Sequence, residues 1–428
     1  MPRAPISLES RRQAHLGPLL PLSTRRSQYA GYSFGLAPRQ ERPQTHLTTR
    51  LQADRRSSVR GVVLVGLLAL GGCESSIDAG FDWGLPAGVE PPAVPADNPQ
   101  TPEKVELGRH LFYDLRLSKN LNRACGTCHE QAKAFTDGFH RAVGTANDLH
   151  GHNTVALANV GYRSQLGWRS PMPDSLEQQL LVPLLGDDPI EMGMGGSEAQ
   201  LLELLADDPR YVELFAAAFP DAPAGVSMVQ LAQAIAAFER TIISVDAPLD
   251  RYLRGDEDAI TPAAKRGWAL FGSREVGCLG CHGGLDYASP TDAQGQPIAE
   301  AGYANIGLYN LEAGAYPDSA QGLIEVTGVA SDMGRFRVPS LRNLAYTGPY
   351  MHDGSVISLA GVVDIFAAGG RVITSGPYVG DGRANPHKSP GIQPIDLNPE
   401  QRADLVEMLL ALSDAGLVTD PGLASPFD

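Results

Sequence analysis

The chain has 428 residues, 43% of them apolar, and a formal net charge of −15 at pH 7. This length predicts two or three domains with enough apolar side chains to form a core. Residues 1–60 hold 11 Arg, no Lys and 3 acidic residues and so carry +8, which leaves −23 on residues 61–428. A body this acidic would repel nucleic-acid phosphates, which excludes a nucleic-acid-binding protein and leaves a basic protein partner open.

Residues 55–73 have the pattern of a bacterial export signal. Basic residues precede a short apolar run, Gly61 to Leu70, and the ending Leu70-Gly71-Gly72-Cys73 resembles a lipobox. The run is shorter than the roughly 20 apolar residues that span a membrane. We predict a lipoprotein signal peptide, with Cys73 carrying a lipid anchor on the periplasmic side. Glu74 follows this cysteine, and by analogy with bacterial lipoproteins that residue favours the outer membrane. An ordinary signal peptide with an incidental cysteine is the alternative. Residues 1–54 do not fit such a signal, and we predict that they are disordered or precede the true translation start.

The next part of the chain combines a tether with helical patterns. Prolines and glycines in residues 74–100 predict a tether along the surface. Thr101-Pro102 predicts an N-cap and the first residue of a helix. Helical periodicity returns over residues 198–219 and 227–243, the second with an apolar stripe of Met228, Leu231, Ile235, Phe238 and Ile242. A capping pattern at Asn398-Pro399-Glu400-Gln401 predicts a last helix that extends to Ser413. Because strand signals are few, we predict a mainly α fold with long loops.

Two Cys-x-x-Cys-His motifs carry the chemistry of this chain: Cys125-Gly126-Thr127-Cys128-His129 and Cys278-Leu279-Gly280-Cys281-His282. Two thiols at this spacing can bond the two vinyl groups of one porphyrin, and the following histidine then binds the iron. A redox dithiol or half of a zinc site would also use Cys-x-x-Cys, but neither needs the histidine. We predict two covalently bound haem c groups, with His129 and His282 as iron ligands. Four cysteines then bind haem and Cys73 binds lipid, which leaves none for disulfides.

A repeat surrounds the two motifs. Thr261-Pro262 opens a helix as Thr101-Pro102 does, and Gly267-Trp268-Ala269-Leu270-Phe271 matches Gly108-Arg109-His110-Leu111-Phe112. Such self-similarity predicts an internal duplication. We expect two tandem cytochrome c-like haem domains, residues 101–250 and 251–415, and a tail over residues 416–428.

Other stretches carry a family pattern. They include Phe81-Asp82-Trp83-Gly84-Leu85-Pro86, Leu111-Phe112-Tyr113-Asp114, Ala134-Phe135-Thr136-Asp137-Gly138, the run from Gly334 to Gly354, and Ala367-Ala368-Gly369-Gly370-Arg371. In these stretches the chain resembles the bacterial di-haem cytochrome c peroxidase and MauG family, and within it the MbnH-like branch, over residues 80–415. The resemblance implies a peroxidatic haem in the N-terminal domain and an electron-transfer haem in the C-terminal domain.

The resemblance also implies a peroxide site. His129 would bind its iron from one side and leave the other side open. Glu191 matches the carboxylate that moves protons between the peroxide oxygens, a task for which a desolvated acid is suited. Gln179 matches an amide that orients the peroxide. From the residues alone, a solvated loop acid and an exposed helical glutamine are the alternatives.

Further positions match an inter-haem relay and a calcium site. Trp168 follows Asn153 by 15 residues, the interval that the family keeps between a calcium ligand and the tryptophan between its haems. Asn153 and the carbonyl oxygens of Thr347 and Pro349 would bind Ca²⁺, which prefers oxygen ligands. A tryptophan without this interval is more often a packing residue.

Histidines and one phenylalanine complete the resemblance. His150 and His152 lie in a loop that carries a distal iron ligand in some peroxidases but not in the MbnH-like branch, and we expect neither to bind iron. His352 is expected near the second haem as a structural residue. Phe366 stands where the family has a Met or Tyr ligand, and phenylalanine has no lone pair. The second iron is then five-coordinate, water-ligated, or bound by Tyr378 or Met351.

Three functions compete at this point. In the first, H₂O₂ oxidises the haem pair and the chain oxidises a Trp side chain of an exported, MbnP-like protein. In the second, a cytochrome c peroxidase reduces H₂O₂ with electrons from a small cytochrome or copper protein. In the third, the chain is a non-catalytic di-haem electron carrier. We favour the first, because Phe366 replaces the potential-raising Met and because Glu191 and Gln179 suit an open site.

Overall fold

The structure, a computed structural model, describes residues 80–171, 173, 175–223, 225–289 and 302–427. The predictions for residues 1–54, for the signal peptide 55–73 and for lipidation of Cys73 lie outside these residues. In the described ranges, no helix combines the length and apolarity that crossing a membrane requires.

The predicted mainly α fold is confirmed, since helices dominate and the strands pair only two residues at a time. Sheet β1–β2 and sheet β3–β4 are antiparallel, and their strands are Tyr303–Ala304, Phe336–Arg337, Val372–Ile373 and Gly380–Asp381. The α-helices of the described residues are α1 Pro102–Tyr113, α2 Cys125–Cys128, α3 Leu176–Gln179, α4 Leu181–Leu185, α5 Glu198–Ala206, α6 Pro209–Ala218, α7 Met228–Arg240, α8 Pro248–Leu253, α9 Pro262–Phe271, α10 Ile324–Thr327, α11 Leu359–Ala368 and α12 Pro399–Leu410.

The three predicted N-caps are confirmed. The hydroxyl oxygens of Thr101 and Thr261 accept hydrogen bonds from the third residue beyond, at 3.2 and 3.1 Å. Asn398 and Gln401 form a reciprocal capping box at 2.9 Å. These side chains satisfy amide groups that a helix start leaves without an intrahelical partner.

Two predicted helix ranges differ in detail from the structure. The helical pattern over residues 198–219 is confirmed but belongs to two helices, α5 and α6, because Pro209 has no N–H to continue the first helix and Asp208 caps the second through Arg210 N at 2.9 Å. The last helix ends at Leu410 rather than Ser413, and a tighter turn follows, in which Ser413 N donates to Leu410 O at 3.0 Å.

The two glycines of the repeated motif perform the same task. A Cβ atom on Gly108 of α1 would lie 1.9 Å from the carbonyl oxygen of Ala234 in α7. A Cβ atom on Gly267 of α9 would lie 2.0 Å from the carbonyl oxygen of Asp404 in α12. Each glycine therefore allows its helix to approach a later helix more closely than any other residue would.

Apolar side chains form the cores that these helix pairs enclose. The predicted stripe of α7 is confirmed, with Leu231, Phe238 and Ile242 fully buried. A separate core joins Leu249, Phe271 and Met408 of α8, α9 and α12. A third cluster, which we call the tyrosine cluster, lies beside the short sheet β1–β2 and consists of Leu308, Tyr309, Tyr316, Ala320, Phe336 and Val356.

The predicted tether ends in contact with the helices. Asn98 and Gln100 are buried, and Asn98 Nδ2 donates to Glu177 Oε1 at 2.8 Å. Glu177 also accepts a hydrogen bond from Arg240 Nη2 at 2.6 Å. This buried network attaches the end of the tether to α3 and α7.

Candidate functional site

The two Cys-x-x-Cys-His motifs line two separate cavities. Cys125 and Cys128 begin and end the one-turn helix α2, and both line the first cavity with His129. Cys278, Cys281 and His282 line the second cavity. Both motifs are followed by a loop that closes through an antiparallel bridge, between Glu130 and Thr136 in one case and between Gly283 and Ser289 in the other.

The four cysteines of these motifs form no disulfide with one another. Burial raises the pKa of Cys128 and of Cys278 to about 11. A reactive dithiol needs a thiol pKa below its usual value. The environment therefore disfavours the alternative of a redox dithiol.

The motif histidines have the geometry of iron ligands. Nδ1 of His129 donates to the carbonyl oxygen of Phe135 at 2.9 Å, and Nδ1 of His282 donates to that of Tyr287 at 2.8 Å. Burial lowers the pKa of both rings, which keeps them neutral. A neutral imidazole that donates from one nitrogen to a carbonyl presents the other nitrogen to a metal. Thiols and histidine thus fit a haem c group in each cavity.

The predicted peroxide-site residues come together in the first cavity. Gln179 ends α3 and Glu191 lies in the loop after α4, and both line this cavity with His129. The main chain holds this loop, because Thr145 N donates to Glu191 O at 2.7 Å and Met192 N donates to Pro183 O at 2.9 Å. Gln179 is half-buried rather than an exposed helical residue.

Glu191 has a histidine partner. Its Oε1 lies 3.4 Å from Nε2 of His150, with the two side chains 33% and 25% exposed. The expected desolvation of Glu191 is therefore only partial in the structure. A carboxylate and an imidazole at this separation can share a proton directly or through one water molecule.

Sequence reasoning missed two features of the first cavity. The partnership of His150 with Glu191 joins two loops, and no spacing signals it. Glu239 of α7 also lines this cavity, and burial raises its pKa to about 8. The helical spacing could have shown that Glu239 faces the buried side, because it follows Ile235 by four residues and precedes Ile242 by three, within the apolar stripe.

Trp168 lies between the two cavities and lines both of them. Its indole Nε1 donates to the carbonyl oxygen of Asn153 at 2.7 Å. Arg337 carries its guanidinium carbon 5.8 Å from the indole ring, and burial lowers the pKa of this guanidinium to about 10. The Arg337 side chain donates to the carbonyl oxygens of Gly167 and Val338.

The residues predicted to bind Ca²⁺ line the second cavity: Asn153, Thr347 and Pro349. Asn153 Nδ2 donates to Phe139 O at 2.7 Å, so the amide oxygen is the atom that remains for a cation. Its backbone N–H donates to His352 O at 2.7 Å, which ties this loop to the segment that contains Thr347 and Pro349.

The side chains around the second haem position differ in their access to it. Phe366 of α11 and Met351 both line the second cavity. His352 lines it too and stacks on Phe336 at 3.6 Å between ring centroids. Tyr378 contacts Tyr309, two rings away from the cavity wall that Tyr316 forms.

Comparisons with known proteins give one family. The family model for di-haem cytochrome c peroxidase matches residues 102–258. The methylamine utilization protein MauG of Methylorubrum extorquens is 34% identical over 77% of this chain and 84% of its own. A cytochrome-c peroxidase of Denitromonas iodatirespirans is 34% identical over 83% of this chain and 93% of its own. The crystal structure of a MauG-like protein associated with microbial copper homeostasis has a TM-score of 0.77 and 42% identity, and covers 82% of this chain and 100% of that one.

Proposed function

Because the chain belongs to the di-haem cytochrome c peroxidase and MauG family, we propose that it is an H₂O₂-dependent oxidoreductase of the MauG and MbnH type, which oxidises a protein partner. Family membership makes the chain an oxidoreductase and implies two c-type haems. The observation that carries the finer proposal is Trp168, whose indole lines both cavities. A side chain in that position couples the site that meets peroxide to a second site from which a partner can be oxidised.

We assign proton transfer and orientation of the peroxide to three side chains of the first cavity. Haem iron on His129 would supply the redox chemistry with H₂O₂ when the group is bound. Glu191 takes a proton from one peroxide oxygen and delivers the same proton to the other, which returns the carboxylate to its starting state, and His150 Nε2 at 3.4 Å can share that proton during the transfer. Gln179 lines the same cavity, and this position supports a role in which its amide N–H donates to the peroxide and orients it.

Trp168 would pass electrons between the two cavities. The hydrogen bond from its Nε1 to Asn153 O fixes the plane of the indole. Phe366 on the wall of the second cavity would offer no lone pair to an iron there.

We propose that Ca²⁺ binds Asn153, Thr347 and Pro349. Metal analysis of the purified protein tests this site.

The partner we propose is an exported protein with an accessible Trp side chain, of the MbnP-like kind. The MauG-like structure at 42% identity is associated with copper homeostasis, and this supports a partner in the same setting. The family is typically periplasmic, and we propose that Cys73 anchors this chain by lipid at the outer membrane. For each H₂O₂ the partner indole would lose two electrons and two protons and gain one oxygen atom from solvent water, on the way to kynurenine. Both oxygen atoms of the peroxide would leave as water.

Mass spectrometry of candidate partners tests the proposal. The haem-loaded protein is mixed with H₂O₂ and each partner, with heat-denatured enzyme as the control. The proposal expects a gain of oxygen on a partner Trp. The relative from Denitromonas iodatirespirans favours a cytochrome c peroxidase as the second candidate. Rapid oxidation of a reduced cytochrome, with every partner unmodified, would establish that candidate instead.

A further inference from the structure

Three tyrosines lead from the second cavity to the protein surface. Tyr316 lines this cavity. Its ring centroid lies 5.5 Å from that of Tyr309, which lies 5.6 Å from that of Tyr378, and both pairs meet edge to face. Tyr309 and Tyr316 are buried, whereas Tyr378 is half-buried beside Val379, which is 54% exposed. Rings in such contact form a continuous π path from the cavity to the loop between β3 and β4.

The middle tyrosine has a proton acceptor. The Tyr309 hydroxyl donates to Oδ2 of Asp353, a buried carboxylate whose Oδ1 accepts from Ser355 N at 3.0 Å. A phenol that loses an electron becomes a strong acid, and a carboxylate in hydrogen-bond contact can take its proton. Each carboxylate oxygen of Asp353 thus accepts a hydrogen bond, one from an O–H and one from an N–H, and Oδ2 is the atom placed to receive the phenolic proton.

The innermost tyrosine has no such acceptor. The Tyr316 hydroxyl donates to the amide oxygen of Asn305 at 2.7 Å and accepts from Leu308 N at 3.0 Å. An amide oxygen is a very weak base, so an oxidised Tyr316 could not pass its proton to Asn305. Tyr316 can therefore carry an electron across its ring but cannot hold a stable radical, whereas Tyr309 can.

Charge also favours a hole on the tyrosine over one on Trp168. The guanidinium of Arg337 lies 5.8 Å from the indole ring and is buried. A positive hole on the indole is repelled by this cation, the more so because burial reduces screening. A tyrosyl radical that has given its proton to Asp353 is neutral and avoids this repulsion.

We propose that Tyr316, Tyr309 and Tyr378 form an exit route for oxidising equivalents from the second cavity, with Asp353 as the proton acceptor of Tyr309. This inference rests on the proposed function, in which H₂O₂ is the oxidant of the bound haems. In each step one electron leaves Tyr309 through the Tyr316 ring, and the phenolic proton moves to Oδ2 of Asp353. An electron from a partner then returns through Tyr378 while the proton goes back to Tyr309. Two such electrons, with two protons from solvent that replace those released when the partner is oxidised, convert one H₂O₂ to two waters.

Freeze-quench electron paramagnetic resonance tests the route. The haem-loaded protein, labelled with ring-deuterated tyrosine, is mixed with H₂O₂ and frozen. The route expects a tyrosyl signal in the wild type and its loss in Tyr309→Phe, which removes the phenol that holds the radical. It expects a loss of about tenfold in Asp353→Asn, the factor that corresponds to a hydrogen bond to a charged acceptor. Tyr378→Phe at the half-buried end should keep the signal and prolong its lifetime.

The chain offers a matched control. Tyr211 of α6 is also buried and donates to a carboxylate, Asp114 Oδ2, at 2.7 Å, but its ring contacts Phe215 rather than a tyrosine of a cavity wall. Tyr211→Phe should keep the full signal. A tyrosyl signal of equal size in Tyr309→Phe overturns the route. So does normal bleaching of the haem absorption without any tyrosyl signal, although the proposed function then stands. Haem absorption that does not respond to H₂O₂ overturns both.

Discussion

Replacement of Glu191 by Gln is the sharpest test of the peroxide site. The substitution keeps the shape of the side chain but removes its capacity to carry a proton. Positioned general acid–base groups contribute about 10²–10⁴-fold to a rate. Glu191 is 33% exposed and has His150 Nε2 at 3.4 Å, so water and the imidazole can partly replace it. We therefore expect the lower end, a loss of about 10²-fold in the rate of haem oxidation by H₂O₂.

Stopped-flow absorption of the haem-loaded protein measures this rate. Asp148→Asn is the matched control, because Asp148 lines the same cavity and its substitution removes the same charge at an exposed position. The control should react within about twofold of the wild type, as is usual for exposed substitutions. If His150 works with Glu191, the losses in His150→Gln and Glu191→Gln should not add. Equal rates in Glu191→Gln and wild type would remove Glu191 from the mechanism.

Three further predictions concern the relay, the core and the first cavity. Trp168→Phe should leave haem oxidation by H₂O₂ intact and slow partner oxidation by at least about tenfold, and unchanged partner oxidation would refute the relay. Arg342 donates to the buried carboxylate of Asp250 at 2.7 and 2.9 Å. Because Arg342→Ala leaves this carboxylate buried without its partner, a urea titration should show a loss of about 3–5 kcal/mol in the free energy of unfolding. A loss below about 1 kcal/mol would contradict this. Since burial raises the pKa of Glu239 from 4.5 to about 8, the folded protein holds this proton more tightly, and stability should fall as the pH rises between these values. Glu239→Gln should flatten this dependence, and an unchanged slope would mean that Glu239 is not its source.

The features that sequence patterns predicted well are local ones. Thr101, Thr261 and Asn398 cap helices because the groups that they bind lie three residues away. The apolar stripe of α7 follows from helical spacing alone. The repeat that contains Gly108 and Gly267 predicted an internal duplication, although only the structure shows which carbonyl oxygens these glycines meet.

The features that sequence patterns missed depend on contacts between distant loops. His150 meets Glu191 across 41 positions, and Tyr309 meets Asp353 across 44. No periodicity connects such residues, because the segments between them pass through irregular loops and several short elements rather than one regular element. The division of residues 198–219 was missed for another reason: Asp208-Pro209 is a start signal that helical periodicity on both sides obscured.

The optical and paramagnetic spectra of the haem-loaded protein before and after one equivalent of H₂O₂ test the central claim most directly. If His129 binds an iron whose opposite face is open to Glu191 and Gln179, one haem should be high-spin at rest and its absorption should change on addition of peroxide. Two low-spin haems whose spectra stay the same after peroxide would contradict the account.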